Sequence, residues 1–292
     1  MGAFGAGVRT LFLFVFMFAL FMVIGWLVGT YLMSNWVLGL VIFIIFAALM
    51  NFISYVYSAK IVLWSYKAKI VSEQEAPRLY RIVKQISEMA GLPMPKIAVV
   101  PSQTPNAFAT GRNPKNAVVA ATEGILKLLD DQELQGVLAH EMAHVKDRDI
   151  LVMSVAATLA GAIAFAARFA LWGSIAGGRR DEGSAWILLI VAITAPIAAM
   201  LVQLAISRSR EYKADAEGAT LIGRPLYLAR ALGKLEKENR RNPMKSGNPA
   251  SSGLWIVNPF SGGSFVAIFS THPPIQERIN RLNKMANQMG QY

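Results

Sequence analysis

The sequence predicts an α-helical membrane protein with a polar α+β domain: mostly helical, with a small β-sheet and about four transmembrane helices. Three observations predict it. Of the 292 residues, 54% are hydrophobic and only 16% are charged, against roughly one quarter charged in soluble domains. The deficit is uneven, since no Asp, Glu, Lys or Arg occurs from Thr10 to Ala59, whereas two later stretches are dense in charge. Those polar stretches carry helical and strand periodicities side by side. An evenly mixed soluble surface and a disordered chain are both excluded.

Taken in chain order, the first element is an apolar run, Leu11–Val28, about 27 Å long as a helix and so long enough to span. A lone Arg9 and the lack of a clean small-x-small site read as a retained anchor rather than a cleaved leader. The second run starts at Trp36 and continues to Tyr57, with Trp26, Tyr31 and Trp36 at interfacial positions. The third is Ile150–Ala167, softened by Ser154 and Thr158, and the fourth is Ala185–Ile206, interrupted by Pro196. A buried helical hairpin is the alternative for these last two, and Arg168 must then snorkel or pair.

Between the second and third runs, Ser72–Ala90 has Leu79, Ile82, Val83, Ile86 and Met89 at helical spacing, closed by Gly91 and Pro93. Lys96–Val100 reads as a strand, and Asn106–Thr110 with Asn116–Ala121 as a hairpin. Asp130 and Glu133 form a capping-box pair that opens a helix running through Leu138 into His140. Further on, Pro225–Arg241 and Pro273–Met289 read as helices, and the Gly/Ser/Pro/Asn-rich stretch Asn242–Ser264 as a mobile loop.

The net charge is +11, with the surplus largely C-terminal. No basic stripe with interleaved aromatics occurs, so nucleic acid is not an expected partner. The flanking charges instead suit phospholipid. Arg9, Lys60, Lys67, Lys69, Lys146, Arg148, Arg208, Arg210 and Lys213 fall on one side of the four runs, opposite Arg179 and Arg180. By the positive-inside rule that side is cytoplasmic, together with both termini.

The absence of cysteine excludes disulfides, thiolate metal sites and cysteine nucleophiles. Only three histidines remain, and two lie in His140-Glu141-Met142-Ala143-His144. Four residues apart on a helix they share a face and can ligate one ion, with Glu141 offset toward a water it can deprotonate. The arrangement implies Zn2+, one per chain, with one more protein ligand and an open position. His272 is one candidate for that ligand. Glu211 is another, because Glu211 and Asp215 share a helical face and Asp215 would accept the far N–H of a ligand imidazole. A hairpin through the bilayer between His144 and Glu211 returns the chain to the same side, which favours Glu211.

With HEMAH, the downstream SRSREYKAD, NAFATG and STHPP, the chain resembles the HtpX family of membrane zinc metalloproteases, relatives of the CAAX prenyl-protein endopeptidases, over nearly its whole length. The resemblance implies a zincin-type catalytic domain with His140, His144 and Glu211 as zinc ligands, Glu141 as general base and Asp215 behind a ligand. It also implies a bacterial inner-membrane enzyme that degrades misfolded or damaged membrane proteins. Residues 1–59 are then a two-helix anchor, 60–149 the first part of the catalytic domain, 150–206 a transmembrane hairpin and 207–292 the second part. Three further roles are expected: His272 as an oxyanion donor or helix cap, Arg208 as partner of a site carboxylate, and Asn106, Ala107 and Phe108 as an edge for an extended substrate. A scaffold without activity and a narrow processing protease are the competing readings.

Overall fold

The structure is a computed structural model, and it describes residues 2–31, 33–176, 207–244, 249–260 and 273–291. The expected fourth run, Ala185–Ile206, and His272 lie outside the described residues.

Helices α1 (Gly2–Tyr31) and α2 (Trp36–Ser65) form an antiparallel pair joined by a short turn in which the Asn35 side chain accepts from the Leu38 N–H. Their apolar windows, Gly5–Thr30 and Trp36–Ser65, have mean hydropathies of 2.8 and 2.6. Most of that apolar surface faces outward: Leu11, Phe12, Val15, Ile45, Phe52 and Trp64 are all exposed. A helix apolar all round with little of it buried in protein suits lipid rather than water. The two helices touch where Gly39 meets Gly25 and Gly29; a Cβ at Gly39 would lie 2.3 Å from the Gly25 carbonyl.

The polar domain is built on a four-stranded sheet ordered β1-β2-β4-β3, from β1 (Lys69–Ile70), β2 (Lys96–Val100), β3 (Ala107–Gly111) and β4 (Ala117–Thr122). The expected hairpin is present as antiparallel β3–β4, and β4 also pairs in parallel with β2. Alternation along these strands divides two cores. Ala98, Val100, Phe108, Val118 and Ala120 face one core with residues of α1, the end of α2 and α6 (Asp149–Ala176). Ile97, Ala107, Ala109, Val119 and Ala121 face the other. That second core is completed by α3 (Pro77–Ala90), α5 (Asp131–Lys146), α7 (Arg208–Ile222), α8 (Pro225–Arg241) and α9 (Ile275–Gln288). The short α4 (Glu123–Leu128), capped by Thr122, leads from β4 toward α5.

Two expectations need correction. Helix α3 starts at Pro77 rather than Ser72, because the Ser72 N–H and hydroxyl both donate to Glu75 in a turn and Pro77 opens the helix. The Asn242–Ser264 stretch is not free where it is described: residues 251–257 are buried, with Trp255 wedged against Tyr66 and Phe108. The run from Ile150 is packed against protein at its start. Ile150, Val152, Val155 and Leu159 are fully buried, and Ser154 reaches the Thr110 hydroxyl at 2.7 Å. The first three turns of α6 are therefore protein core, apolar because they are packed between the sheet and the membrane helices. Among the described residues, two helices are long and apolar enough to cross a membrane, so a count of four is not established.

Candidate metal centre

The motif helix α5 begins as its sequence dictates. Asp130 accepts from the Glu133 N–H at 2.9 Å and Glu133 accepts from the Asp130 N–H at 3.2 Å, closing the capping box. From Leu134 to Val145 nearly every side chain is buried, His140, Glu141 and His144 included. Helix α7 crosses this helix at Gly218, where a Cβ would come within 2.8 Å of the His140 backbone nitrogen. Only glycine permits that approach, and it brings Glu211 and Asp215 onto the two imidazoles.

Glu211 reaches both histidines, with Oε1 lying 3.4 Å from His144 Nε2 and Oε2 lying 3.9 Å from His140 Nε2. One donor atom from each of His140, His144 and Glu211 lies within 4.8 Å of the others. Two donors at about 2.0–2.1 Å from a tetrahedral zinc stand roughly 3.4 Å apart, so the cluster has the size and the chemistry for such an ion. The tautomers agree. His140 Nδ1 lies 2.8 Å from Asp215 Oδ1, and His144 Nδ1 lies 3.3 Å from Asp149 Oδ2. Each carboxylate holds a hydrogen on Nδ1 and leaves the Nε2 lone pair facing the cluster.

Burial lowers the His140 pKa, against the pull of Asp215. Burial acts in the same sense on His144, but its hydrogen bonds to Asp149 and Glu211, with the charges of Glu211 and Glu141, hold it well above the ordinary value. Burial pushes the Glu141 carboxyl up to about 8, opposed by His144 and by the Ala109 N–H that donates to it. Asp215 stays below the usual carboxylate range despite its burial, because the Arg278 guanidinium and His140 stabilise its charge.

Arg278 escapes the sequence reading. It is fully buried and clasps Asp215 with two bonds of 2.8 and 2.7 Å, and donates at 2.8 Å to the Ile256 carbonyl. The signal was a basic residue on the stripe Ile275, Ile279, Leu282 and Ala286, the apolar face of an otherwise polar helix. The expectation for Arg208 is corrected accordingly. Arg208 is exposed at the start of α7, and among the described residues no site carboxylate pairs with it. It shares the Glu211 face but stands at the exposed first position of the helix, a turn before the site, while Arg278 takes the place beside Asp215.

The edge assigned to Asn106, Ala107 and Phe108 is also corrected. All three are fully buried. The Asn106 side-chain amide donates to the Val257 carbonyl at 2.6 Å, and the Ile256 N–H donates to the Ala107 carbonyl at 3.2 Å. This part of the edge is already paired. The rest of β3 is buried as well, and its Ala109 N–H donates to Glu141.

The model of peptidase family M48 matches residues 73–286. A curated relative from Thermococcus sibiricus, named "Protease HtpX homolog", is 51% identical over 98% of this chain and 98% of its own. A protein of the same name from Syntrophobacter fumaroxidans is 54% identical over 85% of this chain and 90% of its own. The crystal structure of S. mikatae Ste24p matches with a TM-score of 0.49 at 16% identity, covering 94% of this chain and 65% of that one.

Proposed function

The chain belongs to peptidase family M48, and from that premise we propose that it is a membrane-bound, zinc-dependent endopeptidase. Its substrates in this reading are misfolded or damaged membrane proteins. The observation that carries the reading is the convergence of His140, His144 and Glu211 with Glu141 buried beside them.

A zinc ion held by those three side chains supplies Lewis acidity at the scissile carbonyl. The chain's own groups do the rest. Asp215 and Asp149 hold the imidazoles in one tautomer. Glu141 takes the proton of the attacking water and returns one to the leaving amine. A cation alongside favours its carboxylate form, which burial otherwise opposes. The Ala109 N–H fixes the orientation of that carboxylate. The relatives' shared name, protease, supports the peptide-bond chemistry. The outward-facing α1–α2 pair supports a membrane location, and the flanking Lys and Arg support a cytoplasmic site.

The test is purified full-length protein in detergent, with casein or an unfolded membrane protein as substrate. Glu141→Gln is expected to lower chelator-sensitive cleavage by about 10²–10⁴-fold while zinc remains bound. Cleavage by that variant at the wild-type rate would refute the mechanism.

A further inference from the structure

The turn between α5 and α6 places a second acidic group behind the site. Helix α5 ends at Lys146, Arg148 adopts φ 59°, and Asp149 opens α6. Asp149 is buried, and its two oxygens divide their work. Oδ2 faces His144 Nδ1 at 3.3 Å. Oδ1 receives two guanidiniums: Arg210, in short contact, and Arg9 at 3.3 Å. Arg210 directly precedes Glu211 on α7. Arg9 stands near the start of the membrane helix α1, 140 residues away in the chain, with its Nε also donating to the Gly5 carbonyl at 2.9 Å.

One carboxylate thus touches a histidine of the motif, the helix that carries Glu211, and the N-terminal membrane helix. We propose that Asp149 is a positioning residue that orients His144 for metal binding, and that Arg9 makes this orientation depend on α1. The membrane helix then does more than tether the domain, because it supplies part of the charge that fixes the Asp149 carboxylate. Both arginines serve that carboxylate. A buried carboxylate with one hydrogen-bonded imidazole retains unsatisfied lone pairs, and guanidinium groups satisfy them with directional, charge-assisted bonds. With the carboxylate fixed, His144 keeps its hydrogen on Nδ1 and its Nε2 lone pair toward Glu211. The proposal rests on the metal-binding reading above.

The experiment measures zinc affinity of the full-length protein in detergent by competition with a chromophoric chelator, and records the cobalt(II) absorption spectrum of each variant. Asp149→Asn is expected to weaken zinc binding by about 10–100-fold and to alter the cobalt spectrum. Arg9→Gln is expected to weaken it by less, and Arg9→Lys to restore part of the loss. Both readouts are compared with melting in excess chelator, which a purely structural role would lower without a change in the spectrum. If Asp149→Asn does not fold, the Arg9→Gln and Arg9→Lys pair carries the test. Zinc affinity within about twofold of wild type in a folded Asp149→Asn or Arg9→Gln protein overturns the proposal. Failure of the wild type itself to bind zinc, by contrast, would refute the endopeptidase reading.

Discussion

His140 meets Asp215 at 2.8 Å, and Asp215 is gripped on both oxygens by the fully buried Arg278. His144 meets Asp149 at 3.3 Å, and Asp149 shares one oxygen between Arg210 and an Arg9 whose side chain is 28% exposed. The same order of groups, imidazole, carboxylate and guanidinium, braces both sides of the site. The first brace is built from α5, α7 and α9 within one core. The second joins α5, α6 and α7 to the membrane helix α1. A bidentate pair sealed from water is the more rigid device, because its geometry is fixed at two points and no solvent screens it. The shared, partly wet pair is the adjustable one. The difference teaches that one side of the site is braced wholly within the polar domain, while the other also draws a charge from the membrane helix.

Breaking the sealed brace has the largest expected effect on stability. Arg278→Met leaves Asp215 buried without its cation and is expected to destabilise the protein by about 3–5 kcal/mol. Thermal or urea unfolding in detergent measures it, and a loss under about 1 kcal/mol would show that water reaches Asp215. Next comes the comparison itself. Asp215→Asn is expected to reduce zinc affinity toward the upper end of the 10–100-fold range, and Asp149→Asn toward the lower end. The reverse order in chelator competition would make the α1-linked brace the dominant one. Gly218→Ala tests the approach that lets α7 serve both braces; the added methyl meets His140 and Ala139 backbone and is expected to destabilise by about 1–3 kcal/mol. The smallest effect belongs to Arg208→Ala. Being exposed and outside both braces, it should change stability by less than about 0.5 kcal/mol and leave zinc affinity unaltered. A measured loss of zinc affinity in that variant would place a third arginine at the site.

Much of this was readable along the chain. His140 and His144 share a face because a helix repeats every 3.6 residues, and the Asp130–Glu133 pair announces where that helix starts. Helix α8 matches its expected limits, Pro225–Arg241, because proline opens it and its apolar stripe is regular. Core and lipid select the same side chains, so the sequence of Ile150–Ala167 does not by itself tell the buried start of α6 from a span. The Gly- and Ser-rich stretch around Trp255 looked loose because its order comes from distant partners, Tyr66, Phe108 and Asn106, rather than from its own composition.

By itself, the sequence determined whatever depends on neighbours a few residues apart: the apolar helices, the motif helix and its cap, the face shared by Glu211 and Asp215. Only the tertiary structure decided which of the possible partners meet. Arg278 reaches Asp215 across 63 residues and Arg9 reaches Asp149 across 140. Contacts at such separations leave no periodic trace, because they are set by how whole helices pack.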